Sequence, residues 1–196
     1  MELQQELQKR GSEDMVKRLS SRVCGSPAVD GYAHVSPECM EQSPTNMWWQ
    51  EWRQSGASKQ HAEAVLEEHA DYDGIAVVWG IGHFKQTVDE CAEACRTYEP
   101  RLNLGDPISR LPCTAFTWCS QKKCFEPDAH THSFGDCWLK FTEGPLNPEV
   151  NMRGLLPDDY RIRHPSAPKM VPWHSGVVLP IGLRPSNGTL SPRFYW

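Results

Sequence analysis

The sequence predicts an α+β fold in which a small, disulfide-stapled antiparallel sheet packs against one helix. Three observations carry this expectation. Eight cysteines, Cys24, Cys39, Cys91, Cys95, Cys113, Cys119, Cys124 and Cys137, form an even set, which suits a disulfide framework in an oxidising compartment. TVDECAEACRTY (87–98) has helical spacing and carries two of these cysteines. IAVVWGI (75–81), TAFTWC (114–119) and DCWLKF (136–141) are short β-branched and aromatic runs, giving the order strand, helix, strand, strand.

Each element has a local reason. Thr87 followed three residues later by Glu90 is a capping box, which starts the helix at Val88. Val88, Cys91, Cys95 and Tyr98 then share one face, so the two thiols can reach different strands beneath the helix. TAFTWC alternates, which puts Phe116 and Trp118 on one side of its strand as a packing surface. A core of roughly 70 residues is marginal without such staples.

Residues 1–70 read as a helical and looped extension. Leu3, Leu7 and Met15 lie at rough helical spacing with Gly11 between them, which predicts a marginal, solvated helix over 1–21. VCGSPAVDGYAHVSPEC (23–39) is turn-rich and bracketed by Cys24 and Cys39, an extended loop closed by its own bridge. After Ser43-Pro44 comes MWWQEW (47–52). In SKQHAEAVLEEHA (58–70), Ala62, Val65, Leu66 and His69 recur at helical intervals behind a Ser58 cap, which predicts a further helix. Residues 71–142 form the module itself. Over 143–196, prolines at 145, 148, 157, 165, 168, 172, 180, 185 and 192 argue against long helices and central strands, and predict a wrapping tail.

Composition narrows the function classes. A net charge of −5, from 20 basic and 25 acidic residues, supplies no broad cationic surface for nucleic acid or anionic membranes. No apolar run of about 18 residues could span a bilayer. The start, MELQQELQKRGSEDMVKRL, is too charged for a secretory h-region. Set against the cysteine content, that absence leads to the expectation that the chain is one part of a larger secreted or membrane-anchored protein or assembly, or that its true start lies upstream.

The spacing of the thiols weighs disulfides against other chemistry. Zinc sites commonly use paired C-x2-C knuckles, whereas the spacings here are C-x3-C, C-x5-C and C-x4-C. A thioredoxin-like redox site wants C-x-x-C at a helix N-terminus after a strand, which is also missing. Disulfides are the favoured reading.

The residues CAEAC, then CTAFTW, then CWLK resemble the PAN/Apple family, in which a helix with two cysteines is tied to a small antiparallel sheet. The match covers roughly residues 71–142. Plant and algal proteins of that family continue with a Pro-rich segment similar to HPSAPKMVPWHSGVV (164–178). The resemblance implies the pairs Cys91–Cys137 and Cys95–Cys113, which leaves Cys119 with Cys124 around SQKK, a departure from the minimal four-cysteine pattern, and Cys24 with Cys39. It also implies extracellular recognition of a protein or carbohydrate ligand.

Other candidate sites have plainer readings beside them. FEPDAHTHSFGD (125–136) holds His130 and His132 among acids, a possible metal site, against which stands a polar loop between Cys124 and Cys137. Trp48, Trp49 and Trp52, with Trp79, Trp118, Trp138 and Trp173, offer flat faces for sugars or a protein partner, although most must be core. Arg161 and Arg163, with Arg153, His164 and Lys169, make a locally basic tail, either a patch for acidic glycans or partners for Glu63, Glu67, Glu68, Asp71 and Asp73. Asn187-Gly188-Thr189 is a glycosylation acceptor triplet.

Catalytic signals are missing. There is no G-x-S-x-G, no Walker-type loop and no H-E-x-x-H, and cysteines held as disulfides are not nucleophiles. The expected function is therefore non-enzymatic recognition in an extracellular or secretory setting, with no cofactor and no resident metal. Two rivals are an accessory segment of a larger secreted or cell-surface enzyme, and a metal-binding protein using His130, His132 and thiolates.

Overall fold

The computed structural model describes residues 2–25, 36–56, 61–103 and 105–190, with the side chains of 2–8, 189 and 190 excepted. Helix α1 (Glu2–Ser20) runs unbroken through Gly11 and buries Leu19 in the core. Cys24 and Cys39 are bridged, while the loop expected over 26–35 lies outside the described residues. Helix α2 (Pro37–Glu41) follows. Ser43 then caps helix α3 (Pro44–Gln54) by accepting from the Asn46 N–H, with Pro44 in the first turn where its missing donor costs nothing. Helices α1 and α3 are tied by Arg18, which holds the Glu51 carboxylate in two hydrogen bonds of 2.7 and 2.9 Å.

The segment predicted as a helix behind Ser58 is instead strand β1 (Ala62–Glu68); Ser58 itself is outside the described residues. Its helical spacing is overridden by pairing along its whole length with a strand far ahead in sequence, from Ala62↔Pro180 to Glu68↔His174. Glu67 pairs with Arg153, one of the tail cations set against it in the sequence, and Glu63 pairs with Arg184.

Strands β2 (Ala70–Tyr72) and β3 (Ile75–Val78) lead into helix α4 (Val88–Arg96). Thr87 Oγ1 accepts from the Glu90 N–H, and the Glu90 carboxylate accepts from Gln86 N at 2.8 Å, so the cap works in both directions one residue earlier than the ideal box. A 3-10 turn (Ile108–Arg110) precedes β4 (Ala115–Cys119) and the two-stranded β5 (Lys123–Cys124) and β6 (His132–Ser133). After β7 (Cys137–Phe141) come β8 (Glu149–Arg153), helix α5 (Asp158–Arg163), β9 (Trp173–Pro180) and β10 (Thr189–Leu190).

The main sheet is five-stranded and antiparallel, in the order β1-β9-β4-β7-β3. One of its faces carries Phe116, Trp118, Cys137 and Leu139, which share a core with Cys91, Ala92 and Cys95 of α4. Four disulfides join Cys24 to Cys39, Cys91 to Cys137, Cys95 to Cys113 and Cys119 to Cys124. The second and third tie α4 to β7 and to the lead-in of β4, the pairs that the resemblance implies.

The tail departs from expectation. β9 lies between β1 and β4 inside the main sheet, and β8 lies at the centre of a second sheet, β10-β8-β2. Prolines bracket β9 at 172 and 180 but spare its interior, so the ladder keeps its donors. Gly176 sits directly across from Phe116, where a Cβ would come within 2.6 Å of the aromatic ring. The two sheets are joined through Ser175, whose hydroxyl takes the Tyr72 N–H at 3.1 Å, donates to Ala70 O at 2.8 Å and lies 2.9 Å from Thr117 Oγ1.

Candidate functional site

Alternation along the strands builds a polar cavity of about 140 Å³ on the sheet face turned away from α4. β7 sends Cys137 and Leu139 toward the helix and lines the cavity with Trp138 and Lys140; β4 sends Phe116 and Trp118 toward the helix and Thr117 into the cavity wall. The second sheet contributes Asp71 and Asn151, and β9 contributes Trp173. Asp128 and His132, from the segment between Cys124 and Cys137, close the remaining side.

Ionic hydrogen bonds fix the lining. Asp71 accepts from Asn151 Nδ2 at 3.0 Å and lies 3.5 Å from Lys140 Nζ, which also donates to Tyr72 O. The Asp128 carboxylate holds His132 Nε2 at 3.0 Å. Three buried atoms of the lining residues nevertheless make no hydrogen bond: Asn151 Oδ1, His132 Nδ1 and Trp138 Nε1. A buried polar atom left without any partner costs about 1–3 kcal/mol, so the three that fall on residues lining one small cavity make it the candidate site.

Beside the cavity, Trp79 is 57% exposed and leans on Trp138, with ring centroids 5.2 Å apart, and on His130 at 5.8 Å. Gly80 makes this possible, since a Cβ there would stand 2.1 Å from the Trp138 ring. The cavity is thus continued outward by an aromatic plane. The hydroxyl lining the cavity, Thr117 Oγ1, is engaged by Tyr72 O and Ser175.

The residues singled out in the sequence fall in several places. Trp48 and Trp49 are buried in the main core and Trp52 packs against it, all three in mutual contact at 4.9–5.6 Å. Arg161 and Arg163 pair with Asp158 and Asp159 on their own helix, and Arg163 lies over the Tyr160 ring. Asn187 is exposed. His130 is exposed and His132 is buried. The eight cysteines are all half-cystines, which leaves no thiolate for the metal-binding rival. Among the described residues, no three His, Cys, Asp or Glu side chains are placed to hold one metal ion, and no helix is long and apolar enough to cross a membrane.

Asp71, Lys140 and Asn151 were not singled out as site residues. Asp71 appeared only as a charge partner for the tail, and Asn151 carries no local signal because its role depends on the pairing of β2 with β8. Trp79 and Trp138 were visible as aromatic faces but not distinguishable from core.

No protein-family model, curated protein or solved structure matches the chain.

His174, next to Trp173 on β9 but on the opposite face with Trp118, lies against the His69 ring at 5.2 Å. Burial first, then the neighbouring His69, hold its pKa below the ordinary 6.5. The folded state therefore favours the neutral ring, so its contribution is complete above pH 6.5 and is lost as pH falls from there through the lowered folded value. The melting temperature should fall on acidification across that window, and His174→Gln should flatten the slope; an unchanged slope in the variant would assign the dependence elsewhere.

Proposed function

We propose that the chain is a non-enzymatic recognition module of the PAN/Apple type, working in an oxidising, extracellular setting, that binds a saccharide in the cavity between its two sheets. The single observation that carries the ligand site is that three residues with an unpartnered buried polar atom, Asn151, His132 and Trp138, line one cavity next to the exposed Trp79 ring. Sugars present hydroxyls to polar atoms and an apolar ring face to indoles, which is the combination these residues offer. The helix tied by two cysteines to an antiparallel sheet supports the family reading. Four disulfides are compatible with a secreted or extracellular protein.

A glycan array with the wild-type protein, followed by Trp79→Ala and Asn151→Ala, tests this. Trp79 is largely exposed, so its replacement should leave the melting temperature within a few degrees while weakening saccharide binding about tenfold or more, equivalent to at least about 1.4 kcal/mol. Asn151→Ala should weaken the same saccharides. An array without signal, or binding that survives both substitutions, would overturn the assignment.

A further inference from the structure

We propose that Asn187 is a site of N-linked glycosylation. The inference rests on the secretory setting proposed above and is independent of the cavity. Asn187-Gly188-Thr189 is the one N-x-[ST] triplet in the chain, and its middle residue is not proline, as the modification requires.

The fold presents this triplet on the turn that leads into β10. Ser186 N donates to Leu146 O at 2.8 Å, and Ser186 Oγ donates to Asn147 Oδ1 at 2.8 Å and accepts from Gly188 N at 3.0 Å, so the residues on either side of Asn187 are pinned. Gly188 has φ +67°, and a Cβ there would stand 2.1 Å from Pro148 O, so the middle position takes glycine alone. Asn187 itself is exposed, and its side-chain amide is bonded to no described residue. Other asparagines are committed to the fold: Asn46 Nδ2 donates to Glu41 O, Asn147 Oδ1 accepts from Ser186, and Asn151 Nδ2 donates to Asp71. A substituent on the Asn187 amide therefore displaces no hydrogen bond among the described residues. It would stand beside β10, an edge strand of the second sheet, which a bulky sugar screens from pairing with another chain.

The donor class is an oligosaccharide carried on a polyprenyl diphosphate. The Asn187 amide nitrogen attacks its anomeric carbon. A C–N bond forms, the bond from that carbon to the diphosphate oxygen breaks, and the diphosphate leaves with the electron pair. The proton of the nitrogen passes to a base of the transferring enzyme.

The test expresses the full chain behind a cleavable leader in eukaryotic secretory cells, and reads the mass of the protein and of the peptide holding Asn187, in secreted and cell-retained chains alike. Most chains should carry one oligosaccharide, and its enzymatic release should leave an aspartate at the attachment position. Asn187→Gln and Thr189→Ala should each abolish the modification with all four bridges intact; the second keeps the asparagine and removes only the hydroxyl that the acceptor triplet needs. A bridged chain without sugar, or sugar that survives both substitutions, would overturn the inference and leave the extracellular reading standing. A chain with neither bridges nor sugar would remove both.

Discussion

Replacing Cys91 and Cys137 together by alanine is expected to cost about 4 kcal/mol and to lower the melting temperature by about 8–16 °C. The bridge spans 46 residues and joins α4 to β7 across the main core, so its loss both frees a long loop in the unfolded chain and detaches the helix from the sheet. Removing Cys119 and Cys124, which are only five apart, should cost about 2 kcal/mol by the same chain-entropy argument, or about half the shift. Thermal melts of the two double variants decide it. Equal shifts, or a larger one for the short bridge, would show that loop closure is not what these staples supply.

Trp173→Ala should be about as damaging, at roughly 3–5 kcal/mol. Trp173 is 2% exposed, packs with Cys119, Met152 and Val171 in a second core, and donates its indole N–H to Phe125 O at 2.8 Å. A residue on a peripheral wrap would change stability by no more than about 0.5 kcal/mol. A melting temperature within a couple of degrees of wild type would return the tail to that peripheral role and would also undo the wall that Trp173 gives the cavity.

How much of this was legible follows the range of the interactions involved. The capped helix from Val88, the strands at Ile75, Ala115 and Cys137, and the buried faces of Phe116 and Cys91 are set by neighbours within a few residues, and the sequence shows them. β1 was misread because AEAVLEE favours a helix locally and becomes a strand through its partners in β9. β9 was missed because the density of prolines around it hid the proline-free run from Trp173 to Leu179. The pairing of the cysteines came from resemblance, since spacing alone does not choose among connectivities. The cavity was the least legible part: Asp71, Lys140, Asn151 and Trp173 lie in four different strands and meet only once both sheets are formed. Trp48 and Trp49 drew attention as a cluster, yet helix α3 turns them into the core.

The most direct measurement is the indole N–H spectrum of the eight tryptophans, recorded while the strongest saccharide from the glycan array is added. The Trp138 signal, from a buried N–H without a hydrogen-bond partner, should move first and furthest, with Trp79 following and Trp48 and Trp49 unmoved. Shifts confined to Trp49, which lines a separate groove with Arg53 and Tyr98, would place the ligand elsewhere and contradict the account.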